Sequence, residues 1–132
     1  AFRLGTFQVE IEIGGAAAEN WIPVSALVDT GATMTAVPSS VLRRLGVEPT
    51  TRKAFQFARG EVRTMDVGYA RVRVEDQEIL TQVLFNDEGT PTLLGAIALE
   101  NTFLGVDPLA QRLIPIHGVM MSLAPSPITS AR

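Results

Sequence analysis

The stretch Val24-Ser25-Ala26-Leu27-Val28-Asp29-Thr30-Gly31-Ala32-Thr33 constrains this chain more than any other. An apolar run with one serine leads into a single carboxylate, and a hydroxyl and a glycine follow at once. Such a run reads as a buried strand that ends at the mouth of a tight turn. Gly31 is expected to let the backbone turn where a side chain would clash. Thr30 and Thr33 offer short hydroxyls that can bond the turn's own backbone. A carboxylate pinned in this way is placed to do chemistry.

The rest of the chain supplies the frame. Phe7 to Ile13 alternates apolar and polar residues, the pattern of a strand with one wet face. Gly14-Gly15 closes it, and Trp21 to Val28 is the strand that delivers Asp29. Thr35-Ala36-Val37 is a short extended piece. Ser39 to Leu45 reads as a two-turn helix: Pro38 stands at its start, Val41, Leu42 and Leu45 share a face, and Gly46 follows the end. Arg43 and Arg44 then fall in its last turn, a solvated position that suits the helix dipole.

Lys53 to Phe57 and Val62 to Val74 are extended runs around Ala58-Arg59-Gly60-Glu61, and glycine in a short polar link suggests a hairpin. The chain is expected to turn at Asp76-Gln77 and return as a strand from Ile79 to Phe85. Thr92-Leu93-Leu94 is a short buried strand stopped by Gly95, with a short helix from Ala96 to Asn101. Phe103 to Val106 and Leu113 to Ile116 form another expected hairpin around Asp107-Pro108. Gly118 to Leu123 reads as one more strand, with Met120 and Met121 fitting either a core or a sheet shared between two chains. Pro125 to Arg132 has the composition of a tail. Many short strands separated by turn signals make the fold class mostly β.

Composition narrows the function. At 132 residues the chain fits one domain, 1–132, with its core in about 7–116. It is 46% hydrophobic and 19% charged, the balance of a globular domain that can bury a core without staples. A net charge of −3 gives no basic footprint for nucleic acid. With no cysteine, disulfides, thiolate zinc sites and thiol catalysis are excluded. His117, the only histidine, has no ligand partner at metal spacing and reads as a partly exposed strand residue, so no metal and no cofactor are expected. No apolar run approaches the roughly 20 residues that span a bilayer. Ala1 to Leu4 lacks signal-peptide form and a starting Met, so both the compartment and the removal or omission of an upstream segment stay open.

Val28-Asp29-Thr30-Gly31-Ala32 resembles the catalytic turn of the aspartic proteases. Leu93-Leu94-Gly95 with its following helix resembles the apolar-apolar-glycine element that closes behind that turn. The hairpin around Gly60 falls between them, where that family has its flap. The order, from about Phe7 to Ile116, is similar to the single-domain retroviral-type (retropepsin-like) branch. The resemblance implies a closed six-stranded β-barrel with one or two short helices, and a two-fold symmetric dimer. It also implies peptide-bond hydrolysis in which Asp29, Thr30 and Gly31 form the catalytic turn and Ala32, Ala58, Arg59, Gly60 and Glu61 meet the substrate. Trp21 is expected in core or interface rather than in a substrate pocket.

The chemistry stands beside the resemblance. Acid-protease hydrolysis needs two carboxylates sharing one proton, because like charges about 3 Å apart cannot both ionise. The chain has one Asp-Thr-Gly, and its other acids lack the apolar lead-in with a following hydroxyl and glycine. The simplest partner for Asp29 is Asp29 of a second copy across a two-fold axis. The expected partners are therefore a homodimer and an extended peptide or protein substrate, with no nucleic acid. Ala32 stands where some relatives carry serine, which implies activity closer to neutral pH than in the digestive members. The charged tip Arg59-Gly60-Glu61 departs from the glycine-rich tips of viral members, and it is expected to select charged or polar substrate groups. That departure keeps a second class open, a catalytically weak dimeric scaffold that binds peptides or proteins. A third, the phosphate-binding loop of actin-like ATPases, resembles Asp-Thr-Gly-Ala-Thr only loosely and needs two larger domains.

Overall fold

The computed structural model describes residues 6–118 and 120. The elements run β1 (Phe7–Gly14), β2 (Trp21–Val28), β3 (Thr35–Pro38), α1 (Ser39–Arg44), β4 (Thr51–Gln56), β5 (Val62–Val74), β6 (Gln77–Asn86), β7 (Thr92–Leu94), α2 (Ala96–Asn101), β8 (Leu104–Asp107) and β9 (Arg112–Pro115).

Six of these strands close on themselves. The sheet order is β1-β2-β7-β3-β6-β5, and β5 returns to β1 through Glu12↔Arg73, Ile13↔Val72 and Gly14↔Arg71. The outcome is the mostly β fold that the residue pattern implied, closed into the six-stranded barrel with short helices that the resemblance implied. Closure removes sheet edges, which are costly to leave unpaired. β4 stands outside this ring. It pairs only with the first part of β5, Thr51↔Val67 to Gln56↔Val62, while the rest of β5 pairs with β6. A two-stranded arm therefore leaves the barrel and turns at residues 57–61.

Strand alternation explains the core. On β5, Ala70, Val72 and Val74 are buried while Arg71 and Arg73 face outward, as the period of two requires. Ile13, Val28, Val37, Leu42, Val72, Val74, Val83 and Leu94 are almost wholly buried in one apolar cluster inside the ring. A second cluster, Met34, Ala36, Met65, Val67 and Leu84, lies on the other face and is covered by Phe55, Phe57 and Leu93. β2 is buried less evenly than its apolar run suggests: Trp21 to Ser25 stay partly open, and full burial begins at Ala26.

Two local expectations shift. The β5–β6 turn falls at Glu75-Asp76, one residue before the expected Asp76-Gln77, with Val74 opposite Gln77 in the ladder. Glu75 takes a left-handed φ of 57°, which a two-residue hairpin demands and which composition does not favour at glutamate. The arm's turn follows expectation, with Gly60 at φ 89°. Its N–H donates to the Phe57 carbonyl at 2.7 Å, and the Phe57 N–H donates to that of Glu61 at 2.8 Å.

Trp21 is half-buried on β2, with the Arg73 guanidinium of β5 3.8 Å from its ring centre, beside the β1–β5 closure. Arg43 and Arg44 are exposed, and Arg43 lies over Phe85 at 5.4 Å. His117 and Met120 are exposed. The rest of the expected strand through Leu123, and the tail to Arg132, lie outside the described residues.

Candidate active site

Asp29 leaves the end of β2 as a buried residue, only 5% exposed. Three backbone contacts fix it. Its N–H donates to the Leu94 carbonyl at 3.0 Å, the Ala32 N–H donates to its carbonyl at 3.1 Å, and the Gly31 N–H donates to its Oδ1 at 3.0 Å. The first contact extends the parallel pairing of β2 with β7, in which Val28 lies opposite Leu94.

The segment behind the turn is threaded closely. The Ala96 N–H donates to the Ala32 carbonyl at 2.7 Å, and the Ile97 N–H donates to that of Thr33 at 3.1 Å. The Gly95 N–H donates to Thr35 Oγ1 at 3.1 Å, between buried groups. A Cβ on Gly95 would lie 2.7 Å from the Met34 carbonyl carbon and 2.9 Å from the Ala32 oxygen, so only glycine lets the two backbones approach. Leu93-Leu94-Gly95 thus does pack behind the Asp29 turn, far from it in sequence.

Gly31 matches the expected clash: its φ is not left-handed, and a Cβ there would come within 3.3 Å of Asp29 Oδ1. The reading of single residues needs one correction. The hydroxyl that braces the turn is that of Thr35, while Thr30 and Thr33 make no side-chain hydrogen bond among the described residues. Thr35 was missed because it reads as an ordinary strand residue; only its contact with Gly95 reveals the role.

The other candidate residues divide by position. Thr30 and Gly31 are exposed on the protomer surface beside the buried carboxylate, and Ala32 is half-buried. Ala58, Arg59, Gly60 and Glu61 are all exposed at the tip of the arm. The arm and the turn share the second apolar cluster: Phe55 and Phe57 come from the arm, Met34 from the segment after Asp29, and Leu93 from β7. A groove of about 250 Å³ beside it is lined by Met34, Tyr69, Leu80, Thr81, Gln82 and Ile97, and Asp29 is not among its walls. Among the described residues no group of three or more His, Asp or Glu side chains is placed to hold a metal ion.

The model of the family described as "gag-polyprotein putative aspartyl protease" matches residues 10–101, which include the turn, the arm and the Leu-Leu-Gly segment. The chain belongs to that family. Its fold is that of the retropepsin-like aspartic proteases. It is similar to the simian foamy virus (mac) protease in solution, at 24% identity and TM-score 0.51 over 70% of this chain and 91% of that one. It is similar to the EIAV protease complexed with the inhibitor HBY-793, at 19% and 0.51 over 82% and 91%. It is also similar to the retroviral protease-like domain of Ddi1 from Leishmania major, at 18% and 0.50 over 82% and 87%. At these identities the likeness speaks for the fold alone. A search of curated protein sequences finds no match.

Proposed function

We propose that this retropepsin-like chain is one half of a homodimeric aspartic endopeptidase, and that residues 1–132 form a single protease domain. The observation that carries the reading is the setting of Asp29: a buried carboxylate with Gly31 donating to it, braced from behind by Leu94, on a turn whose Thr30 and Gly31 face solvent. An exposed turn can meet its own copy across a two-fold axis, and an isologous contact there brings Asp29 to Asp29.

Chemistry then follows from charge. Two carboxylates in contact hold one proton between them. The ionised one takes a proton from a bound water as that water attacks the peptide carbonyl, and the protonated one donates to the carbonyl oxygen. The proton then reaches the leaving amine as the C–N bond breaks. Titration belongs to the pair and not to either residue. The Gly31 N–H steadies the charged form, and Thr30 is positioned to bond across the two turns.

The β4–β5 arm serves as the flap. It would close over an extended peptide, with main-chain hydrogen bonds holding the strand and pockets taking alternate side chains. Ala58, Arg59, Gly60 and Glu61 form its contact surface. Arg59 and Glu61 favour charged or polar groups on the substrate; replacing both with glycine should change the cleavage profile.

The test is a peptide-library digest with purified protein, its oligomeric state followed by sedimentation. Cleavage should require dimer, and Asp29→Asn should lower kcat by about a hundredfold to ten-thousandfold. A monomer at every concentration, or equal cleavage by Asp29→Asn, overturns the reading.

A further inference from the structure

The face of the arm that carries the second apolar cluster also carries two cations, the exposed Lys53 opposite Met65 and the half-buried Arg63. Arg63 sits directly opposite Phe55 in the β4–β5 ladder, on the face that also carries Met65 and Val67. Beside Phe55, Met65 and Val67 a half-buried guanidinium needs a partner. It has two. Its plane lies over Phe57, with Cζ 5.3 Å from the ring centre, and its Nη2 meets the carboxylate of Asp87 at 3.0 Å to Oδ2 and 3.2 Å to Oδ1.

Asp87 is not on the arm. It opens the loop between β6 and β7, and that loop is held at several points. The Thr90 hydroxyl donates to the Asp87 carbonyl at 2.6 Å. Glu88 accepts from the Ser40 hydroxyl at 2.6 Å and from the Ser40 N–H at 2.8 Å, which ties the loop to α1. The loop then runs into β7, whose Leu94 carbonyl holds the Asp29 N–H. Arg63 is therefore the side chain through which the arm is tied to the loop that leads to the catalytic turn.

We propose that Arg63 is a positioning residue for the flap. This rests on the protease reading above. Clasped to Asp87 and stacked on Phe57, the guanidinium sets the height at which the arm stands over the substrate strand. Opening the flap breaks the pair, and closing restores it. Arginine suits the task because its planar fork bonds a carboxylate and stacks on a ring at once, which a lysine ammonium cannot do. The pair is partly exposed, at 38% and 55%, so its contribution is modest and sensitive to salt.

The experiment compares Arg63→Met, Arg63→Lys, Asp87→Asn and the exchanged pair Arg63→Asp with Asp87→Arg. Two readouts are taken: peptide KM and kcat in low and high salt, and amide hydrogen exchange at Phe57 and Gly60, measured with the inactive Asp29→Asn background as well. Arg63→Met should raise KM and speed exchange at the arm's tip by about threefold to fivefold, the scale of one exposed ion pair with a ring contact. kcat should stay within about twofold, Arg63→Lys should recover only part of the loss, and the exchanged pair should recover more than either single change. High salt should shrink the difference between wild type and Asp87→Asn. Unchanged KM and exchange in Arg63→Met, or a loss that the exchanged pair does not relieve, overturns the proposal. If the wild type cleaves nothing while the exchange pattern follows the pair, the protease reading fails and the clasp stands.

Discussion

The backbone N–H of Asp29 donates to the carbonyl of Leu94 at 3.0 Å, so the two segments that carry the family likeness are joined at the carboxylate's own residue. The β2–β7 ladder and the bonds from the Ala96 and Ile97 N–H groups hold the same two segments close. Gly95 is what permits it, because a Cβ there would strike the backbone of Met34 and Ala32 and not a yielding side-chain end. Gly95→Ala should destabilise the protein by about 1–3 kcal/mol, the range for overpacking a tight interior. Urea unfolding measures this, and a change below about 0.5 kcal/mol would mean that the two backbones separate freely.

Gly31 is a different kind of glycine. A Cβ would sit 3.3 Å from Asp29 Oδ1, tight but tolerable, on an exposed turn. Gly31→Ala should therefore leave the unfolding midpoint nearly unchanged and lower kcat severely, since it crowds the carboxylate and the surface where its partner would approach. A variant that loses stability and activity in equal measure contradicts this.

Ala32 bears on pH. Its N–H already donates to the Asp29 carbonyl, and its side chain is half-buried beside the turn. A hydroxyl placed there can donate to the charged carboxylate, and a bond to the charged form favours ionisation. Ala32→Ser should move the acidic limb of the kcat/KM profile to lower pH, with the wild type active closer to neutrality. A wild-type profile confined below about pH 4, in the range set by the acid-protease dyad of pepsin, would exclude this account.

Much of this architecture could be read from the residues. The alternation in Phe7 to Ile13 and in Val62 to Val74, the apolar run into Asp29 and the stop at Gly95 are local signals, and each marks an observed element. What escaped is non-local. Closure of the ring rests on three residue pairs between β1 and β5, which no window of sequence displays. Arg63 looks like one more charge on the β4–β5 arm until Asp87 is brought beside it from the β6–β7 loop. Thr35 and Glu75 were invisible for the opposite reason: their roles follow from a contact and a backbone angle that their residue types do not advertise.

Glu88 makes stability depend on pH. Its carboxyl is held below the ordinary value of 4.5, first by the Ser40 hydroxyl, then by the Ser40 N–H, with burial opposing. A lowered folded-state value gives stabilisation that is full above that ordinary value, where the unfolded chain's carboxyl is also ionised. It is lost as pH falls through the lower folded value. Ser40→Ala should thus be less stable than wild type at pH 7, and the gap should narrow as pH drops below 4.5. Denaturation at several pH values reads this directly; a gap that widens on acidification reverses the sign and removes Glu88 as its source.

The barrel's seam carries its own reporter. Trp21, the chain's single tryptophan, lies on β2 with the Arg73 guanidinium of β5 over its ring at 3.8 Å. The same guanidinium bonds Glu12 of β1 at 2.8 Å and Glu78 of β6 at 3.3 Å, so one side chain touches three neighbouring strands. These bonds, led by that from Glu12, raise the Arg73 pKa further above its ordinary value, so its charge persists at any working pH. Arg73→Met keeps the stem and removes the charge. Trp21 emission should shift as the ring loses its cover, and the unfolding midpoint should fall, with the fall smaller in high salt because the ion pairs are partly exposed. Gly14 limits how the ring can respond, since a Cβ there would lie 2.8 Å from it, and Gly14→Ala should displace the ring and shift its emission as well. If Arg73→Met alters emission but leaves the midpoint in place, the seam is held by the β1–β5 ladder and the apolar core alone, and the charge network only covers it.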